Sequence, residues 1–208
     1  LYLCCMKKIT LLLIGICFAS CSNKNFQTVN NIVSIDTIKY VPPKITDYAF
    51  VIIPGDRIGM TKLEENVETL SKLGKPDFSD SAMGKSWMTW VSKDDKKNEL
   101  NIYSTYKDSE MKEKVVRQIR ITSPKFQTPS EISTGKTLQE IQKEFEGIKL
   151  VGKYIDEKTK NLVEIYDAKT SGIAFEFTQN KCVAIIVHTK GKKVTEEYIT
   201  LHPNMEKF

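Results

Sequence analysis

The segment GIAFEFTQNKCVAIIVH, residues 172–188, decides the fold class, because it has the pattern of two strands joined by a turn. Gln179 and Asn180 separate two apolar alternations, which is typical of a tight β-hairpin. Apolar side chains at every second position share one face of a strand, so each strand should bury one face. The residues predicted to form that core face are Ile173, Phe175, Phe177, Val183, Ile185 and Val187.

Segments with the same strand-like character precede this hairpin along the chain. Short polar runs separate them, which indicates consecutive antiparallel strands connected by turns. The predicted strands are YAFVIIPG (48–55), SWMTWV (86–91), ELNIYSTY (99–106), KVVRQIRIT (114–122), KLVGKY (149–154) and NLVEIYD (161–167).

Two segments that resemble each other predict helices, RIGMTKLEENVETLSKLGKPD at 57–77 and STGKTLQEIQKEFEG at 133–147. In each segment a threonine is followed three residues later by a glutamate, which is the spacing of a capping box. Apolar residues then recur at helical spacing, and a glycine is placed to end each helix. The capping pairs are Thr61 with Glu64 and Thr137 with Glu140, and the terminating glycines are Gly74 and Gly147.

These elements predict an α+β fold of two tandem helix-plus-antiparallel-sheet modules that follow a lipoprotein signal and a tether. The predicted ranges are 1–20 for an upstream extension and signal peptide, 21–45 for the tether, 46–123 for the first module and 124–208 for the second module.

The N-terminal stretch MKKITLLLIGICFASC, residues 6–21, has the organisation of a secretory signal. Lys7 and Lys8 precede an apolar run of about ten residues, which is too short to span a bilayer as a helix. We expect translation to start at Met6, so that LYLCC at 1–5 is an upstream extension of the reading frame.

The stretch FASC, residues 18–21, resembles a bacterial lipobox, in which the cysteine receives a diacylglycerol and is acylated after cleavage. The alternative is a plain signal peptide that contains a cysteine. The resemblance implies acylation of Cys21, with several acyl chains to hold the protein firmly in a bilayer. The following SNKN lacks an aspartate after the cysteine, so the resemblance to sorting signals implies the outer membrane, with the domain facing the periplasm.

Charge and cysteine content exclude some partners. The chain has 31 basic and 26 acidic residues, and without residues 1–20 the net charge is +3, which is too small and too dispersed to predict nucleic-acid binding. With Cys21 acylated, Cys182 has no predicted disulfide partner, and its apolar strand indicates a buried, inert thiol.

The order of elements is similar to the SmpA/OmlA family of small outer-membrane lipoproteins and, more broadly, to the β-lactamase-inhibitor-like fold. The first helical segment carries the family pattern at Gly59, Met60, Thr61, Glu64, Gly74 and Pro76. The second segment matches at Gly135, Thr137, Glu140 and Gly147 only. The resemblance implies a non-enzymatic binding or scaffold module near the barrel-assembly machinery, and function inferred from such a fold is analogy.

No combination of residues predicts catalysis, a metal site or a cofactor. The histidines His188 and His202 have no second ligand at metal-binding spacing, and His188 is too far along its strand from Cys182 for a thiol–imidazole pair. Paired carboxylates such as Asp156 and Glu157 lie in lysine-rich turns, where solvated side chains are expected. An uncharacterised hydrolase stays open as an alternative.

Four aromatic residues on two neighbouring predicted strands are the candidates for partner binding. Members three residues apart on a strand face opposite sides, so one of each pair should face the core and the other should face outwards. We expect Trp90, with Met88, on the core side and Trp87 on the other side. The alternative is that another element covers both faces. The candidate residues are Trp87, Trp90, Tyr103 and Tyr106.

The sequence therefore predicts a membrane-anchored periplasmic lipoprotein that acts as a protein-binding or scaffold module in envelope assembly. Its partners would be the lipid bilayer, through acylated Cys21, and a protein of unknown identity. The alternative is an inhibitor-like or small-ligand-binding module that uses a groove between the two repeats.

Overall fold

Antiparallel β-strands make up most of the protein, whose structure is a computed structural model that describes residues 48–195, 201–202 and 204–208. The predicted signal at 1–20 and tether at 21–45, with Cys21, lie outside the described residues. In chain order the strands are β1 (Ile52–Ile53), β2 (Arg57–Ile58), β3 (Thr61–Lys62), β4 (Phe78–Ala82), β5 (Lys85–Val91), β6 (Glu99–Tyr106), β7 (Lys114–Ile121), β8 (Lys149–Ile155), β9 (Leu162–Ala168), β10 (Ile173–Thr178), β11 (Lys181–His188) and β12 (Glu206–Lys207).

Helical structure is confined to three short elements among the described residues. Two are 3₁₀-helices, Tyr48–Phe50 and Val67–Leu73, and the third is the α-helix α1, Leu138–Glu144. The prediction of an α+β fold with two tandem helix-plus-antiparallel-sheet modules is therefore wrong, because the chain forms a mostly β structure.

One nine-stranded antiparallel sheet contains strands from both halves of the chain, in the order β12-β8-β9-β10-β11-β7-β6-β5-β4. Strand β7 pairs with β11, with Ile121 opposite Ile185 and Gln118 opposite His188. The predicted division between 46–123 and 124–208 falls in the connection between β7 and α1. Strands β1 to β3 form a separate small sheet. Strands β2, β3, β4 and β12 were not predicted from the sequence, and the predicted strand at 48–55 is a short 3₁₀-helix followed by the two-residue strand β1.

The β10–β11 hairpin confirms the prediction made from residues 172–188. Gln179 and Asn180 have φ values of 48° and 62°, and a two-residue hairpin turn with both φ angles positive has the twist that antiparallel strands need. A β-bulge changes one expected side-chain direction: Phe177 pairs with Cys182, whereas Glu176 pairs with Ala184. Val183 is the extra residue, and it packs on the opposite face from the one predicted.

Both faces of the sheet bury apolar side chains. The main core lies on the face that includes Phe175 and Ile185, together with Ile141 of α1 and Leu70 of the 3₁₀-helix Val67–Leu73. A second, smaller cluster lies on the opposite face, because its residues alternate with those of the main core along β10 and β11. Its buried members are Val151, Tyr154, Val163, Ile165, Ala174, Ile186 and Val194.

The first predicted helix does not begin at Thr61. Gly59, whose φ is 56°, and Met60 form a two-residue turn, and Thr61 pairs with Ile58 in the β2–β3 ladder. The Glu64 carboxylate accepts hydrogen bonds of 2.5 and 2.6 Å from Nη1 of Arg117, so it does not serve as a cap. The prediction of a Thr61 capping box is therefore wrong, and with it the prediction of two equivalent repeats.

The 3₁₀-helix Val67–Leu73 has a different cap, since Oδ1 of Asn66 accepts from the backbone N–H of Glu68 at 2.8 Å. The predicted stop at Gly74 is confirmed, because Gly74 follows the last helical residue with a φ of 76°.

The second predicted helix and its capping box are confirmed in α1. The hydroxyl of Thr137 accepts from the backbone N–H of Glu140 at 3.3 Å, and the Glu140 carboxylate accepts from the backbone N–H of Thr137 at 2.8 Å. The hydrogen bonds that the Glu140 carboxylate accepts from the backbone N–H and the hydroxyl of Thr137 lower its pKa to about 2. The carboxylate therefore contributes stability above its ordinary pKa of 4.5, and this contribution is lost as the pH falls towards about 2.

Removing the cap should destabilise the protein measurably. We expect Thr137→Ala to lower the free energy of unfolding by about 1 kcal/mol, because the first turn of α1 loses a hydrogen-bond acceptor. Thr137→Ser keeps the hydroxyl and should stay close to the wild type. Urea denaturation of the two variants measures the difference, and equal stabilities would contradict the role of the cap.

Candidate functional site

A groove of about 810 Å³ lies on the face of the nine-stranded sheet opposite the main core. Strands from β4 to β11 contribute to it, together with the β8–β9 turn and Leu201 and His202 near the C-terminus. We call it the sheet groove. Its lining residues are Phe78, Thr89, Lys97, Glu99, Asn101, Arg120, Thr122, Tyr154, Ile155, Asp156, Glu157, Lys158, Thr159, Asn161, Val163, Thr178, Val183, Leu201, His202 and Asn204.

A buried ion pair forms a floor beneath the sheet groove, and of its two members Arg120 lines the groove whereas Glu176 lines a smaller cavity. Arg120 on β7 donates from Nε and Nη2 to the Glu176 carboxylate on β10, with the Nη2–Oε2 distance at 2.6 Å. The Glu176 side chain is 2% exposed and the Arg120 side chain is 9% exposed. Strand β11 lies between the two strands, so this ion pair connects β7 and β10 across their common neighbour.

The two charges stabilise each other's ionised forms. Burial alone would raise the pKa of Glu176, but the charge and hydrogen bonds of Arg120 lower that pKa below its ordinary value. Burial alone would lower the pKa of Arg120, but the neighbouring Glu176 carboxylate raises it above the ordinary value. The floor therefore contains a positive and a negative charge that compensate each other.

Neutral polar groups complete the coordination of this pair. The Asn101 side-chain oxygen accepts from Nη1 of Arg120 at 2.7 Å, and the Asn101 side-chain nitrogen donates to the hydroxyl of Thr89 at 3.0 Å. On the other side, the Tyr154 hydroxyl donates to Glu176 Oε2 at 3.1 Å. Burial, followed by the charge of Glu176, raises the pKa of Tyr154, so this hydroxyl is kept protonated as a donor.

The network reaches the surface through Glu99. One Glu99 oxygen lies 3.6 Å from Nη1 of Arg120, and the other lies 2.9 Å from Nζ of Lys158. Lys158 belongs to the β8–β9 turn, so its ion pair with Glu99 on β6 crosses the sheet groove. The Lys158 side chain is mostly exposed, and such an ion pair contributes at most about 1 kcal/mol.

His202 covers one end of the floor. Its ring stacks on the Tyr154 ring, with 3.6 Å between centroids and an interplanar angle of 11°. Burial lowers the pKa of His202, which favours the neutral ring. A smaller cavity of about 30 Å³ lies among His202, Arg120, Glu176 and Trp87.

The four predicted aromatic residues lie on both faces of the sheet. Trp90 packs against the main core and donates from Nε1 to the carbonyl of Gly74 at 3.1 Å. Trp87 is half-buried on the opposite face, as expected, with its ring centroid 5.1 Å from that of Tyr103. Tyr103 is 1% exposed and Tyr106 is half-buried. Partner binding by these residues stays a prediction, and none of the four lines the sheet groove.

The other singled-out residues lie away from the sheet groove or at its rim. Cys182 is 2% exposed, and burial raises the pKa of its thiol, which confirms the predicted buried and inert state. His188 is fully buried, and its Nε2 lies 3.0 Å from Oδ1 of Asp167. The carboxylates of Asp156 and Glu157, predicted to be solvated in a turn, line the rim of the sheet groove.

The described residues meet the requirements of neither a metal site nor a membrane-spanning helix. Within those residues no group of three or more His, Cys, Asp or Glu side chains is arranged to hold a metal ion. No helix in that part of the chain is both long enough and apolar enough to cross a membrane.

The sequence analysis missed the residues of the floor. Glu176 and Arg120 each lie in the middle of an apolar strand segment, AFEF and QIRIT, where a charged residue interrupts the hydrophobic pattern. A buried charge is stable only with a partner of opposite sign, so these two interruptions were a signal that the residues lie together.

Comparisons of the chain with protein-family models, with curated protein sequences and with solved structures find no match.

Breaking the floor ion pair should cost much more stability than breaking a surface ion pair. We expect Glu176→Gln to lower the free energy of unfolding by about 3 kcal/mol, because Arg120 keeps a buried charge without its main partner. Glu110→Gln removes the exposed pair of Glu110 with Lys112 and should leave stability unchanged. Urea denaturation compares the variants, and a similar small effect for both would contradict this role of the floor.

Proposed function

We propose that the protein is a membrane-anchored lipoprotein of the bacterial outer membrane that faces the periplasm and binds another protein at the sheet groove. The observation that carries this proposal is the groove itself, which extends from the edge strand β4 to the β8–β9 turn. The proposed role in envelope assembly follows from the expected location in the outer membrane rather than from the sheet groove.

The composition of the sheet groove supports a protein partner. Phe78 and Ile155 lie at opposite sides of the groove and are 69% and 52% exposed, so apolar contacts are available at both sides. Between them lie amide and hydroxyl groups and compensated charges, such as Asn101 and Thr89. A mixture of exposed apolar anchors and polar groups is typical of a protein-binding surface.

The state of the titratable groups supports binding rather than catalysis. Glu176, Arg120 and Tyr154 hydrogen-bond to one another, and Glu99 pairs with Lys158. A general acid or base must be within reach of a substrate proton, and these groups are engaged with one another instead.

The segment 57–77 resembles the SmpA/OmlA lipoproteins, and this resemblance agrees with a role in the cell envelope. In this chain the Gly-Met-Thr motif of that segment lies at the β2–β3 turn and not at a helix start. The proposal therefore relies on the sheet groove and the expected lipid anchor.

A second candidate function is the binding of a small molecule in the sheet groove. The volume of about 810 Å³ favours this alternative, since ligand sites commonly measure about 300–1,000 Å³.

Native mass spectrometry of the protein released in mild detergent tests whether a small molecule is bound in the sheet groove. A bound mass that is lost in Ile155→Trp and retained in Met111→Trp would support a small ligand.

The expected lipid anchor depends on one residue. Cys21→Ala should abolish metabolic labelling with palmitate and leave an unprocessed or soluble protein, because the thiol that receives the diacylglycerol is gone. Cys182→Ala is the matched control and should keep the label, since this thiol is buried. Persistent labelling of the Cys21→Ala protein would contradict the anchor.

The predicted orientation has its own test. Protease added to intact cells should spare the protein, and protease added after permeabilisation of the outer membrane should digest it. Digestion in intact cells would show a surface location instead.

Photo-crosslinking locates the binding surface. We expect a photoreactive amino acid at Phe78 or Ile155 of the full-length protein to give crosslinked protein products in cell membranes, because both positions line the sheet groove. Met60 and Met111 are the control positions, since they are 60% and 64% exposed and lie outside the groove. Equal crosslinking from the control positions would contradict the groove as the binding site.

A further inference from the structure

We propose that the partner contributes an extended segment that adds to the outer edge of β4 as a tenth strand, with a basic side chain opposite Asp80. This inference rests on the proposed function, because it describes how a protein partner would enter the sheet groove.

Strand β4 is an outer strand of the nine-stranded sheet. All five of its residues, Phe78–Ala82, are exposed, and within the described parts of the chain only β5 pairs with it. An exposed strand edge presents backbone donors and acceptors that can pair with another extended chain. The opposite edge of the sheet differs, because the two-residue strand β12 covers part of β8.

The cross-strand register connects this edge to the sheet groove. Phe78 pairs with Thr89, which pairs with Asn101, and these three residues share the groove face. Asp80 pairs with Trp87 on the same face. A strand added to β4 would therefore place every second side chain beside Phe78 and Asp80, as a continuation of the groove floor.

The negative charge of Asp80 favours a basic segment as the added strand. Asp80 is the only ionisable residue of β4, and it is exposed. In an antiparallel pairing, a basic residue directly opposite Asp80 is favourable, whereas an acidic residue is unfavourable. A second copy that paired through its own β4 with full overlap would place Asp80 opposite Asp80, which disfavours a symmetric dimer. An extended segment with a basic residue therefore fits this edge better than a second copy does.

Defined peptides test the inference on the full-length protein. The probe is a fluorescein-labelled peptide of seven residues that alternates valine and threonine around a central lysine, and its counterpart has a central glutamate. Fluorescence anisotropy should show roughly fivefold tighter binding of the lysine peptide. Equal affinities for the two peptides would overturn the charge assignment.

Backbone methylation tests strand addition itself. Two further lysine peptides carry N-methyl groups on alternate residues, one peptide on the odd positions and one on the even positions. Only one set of N–H groups faces β4 in an added strand, so one methylated peptide should lose binding and the other should keep it. Binding that survives in both peptides, or disappears in both, would overturn pairing at the edge.

A charge reversal on the protein provides the matched pair of variants. Asp80→Lys should invert the preference, so that the glutamate peptide binds more tightly than the lysine peptide. Glu146→Lys makes the same charge change at an exposed position outside β4 and should leave the lysine preference intact. An unchanged preference in Asp80→Lys would contradict the inference.

A photoreactive residue at Ser81 identifies the occupant of the edge. Crosslinks to the labelled peptide support the inference. A crosslinked dimer of the chain, or a link to another part of the same chain, would overturn it. If Ile155 still crosslinks to a protein in membranes while the peptides fail to bind at β4, the inference fails and the proposed function stands.

Discussion

The pairing of β7 with β11 is the interaction on which the rest of the structure depends, because it joins the two halves of the chain into one sheet. The ion pair of Arg120 with Glu176 reinforces this junction, since it reaches from β7 across β11 to β10. Backbone hydrogen bonds and a buried charge pair therefore act at the same place. Neither half has a complete main core without the other, because that core contains Ile119 and Phe175 together.

The nine-stranded sheet has two faces of different composition. One face is covered by α1 and the 3₁₀-helix Val67–Leu73, and it buries the main apolar core. The opposite face combines a small apolar cluster with the floor of the sheet groove, where charged and neutral polar groups satisfy one another. The geometry of this floor is therefore fixed by its own hydrogen bonds and ion pair.

Local sequence patterns predicted strands β5 to β11, because apolar alternation and turn residues such as Gln179 and Asn180 depend only on neighbours in sequence. The Thr61 capping box failed for the opposite reason. Its spacing matched that of Thr137, but Glu64 hydrogen-bonds to Arg117 on β7, a partner distant in sequence. The sheet groove could not be predicted from the sequence either. Its floor depends on the strand order and on the bulge at Val183, and no local sequence pattern specifies these two features.

The long separation of β7 and β11 along the sequence has a consequence for folding during synthesis. During synthesis the N-terminal part of the chain emerges first, so β7 becomes available well before the strand that completes its pairing. Until Lys181–His188 arrives, the inner edge of β7 is an open template next to unprotected apolar residues. Distant pairings of this type form slowly. The growing chain therefore passes through a period of aggregation risk before β11 has been made.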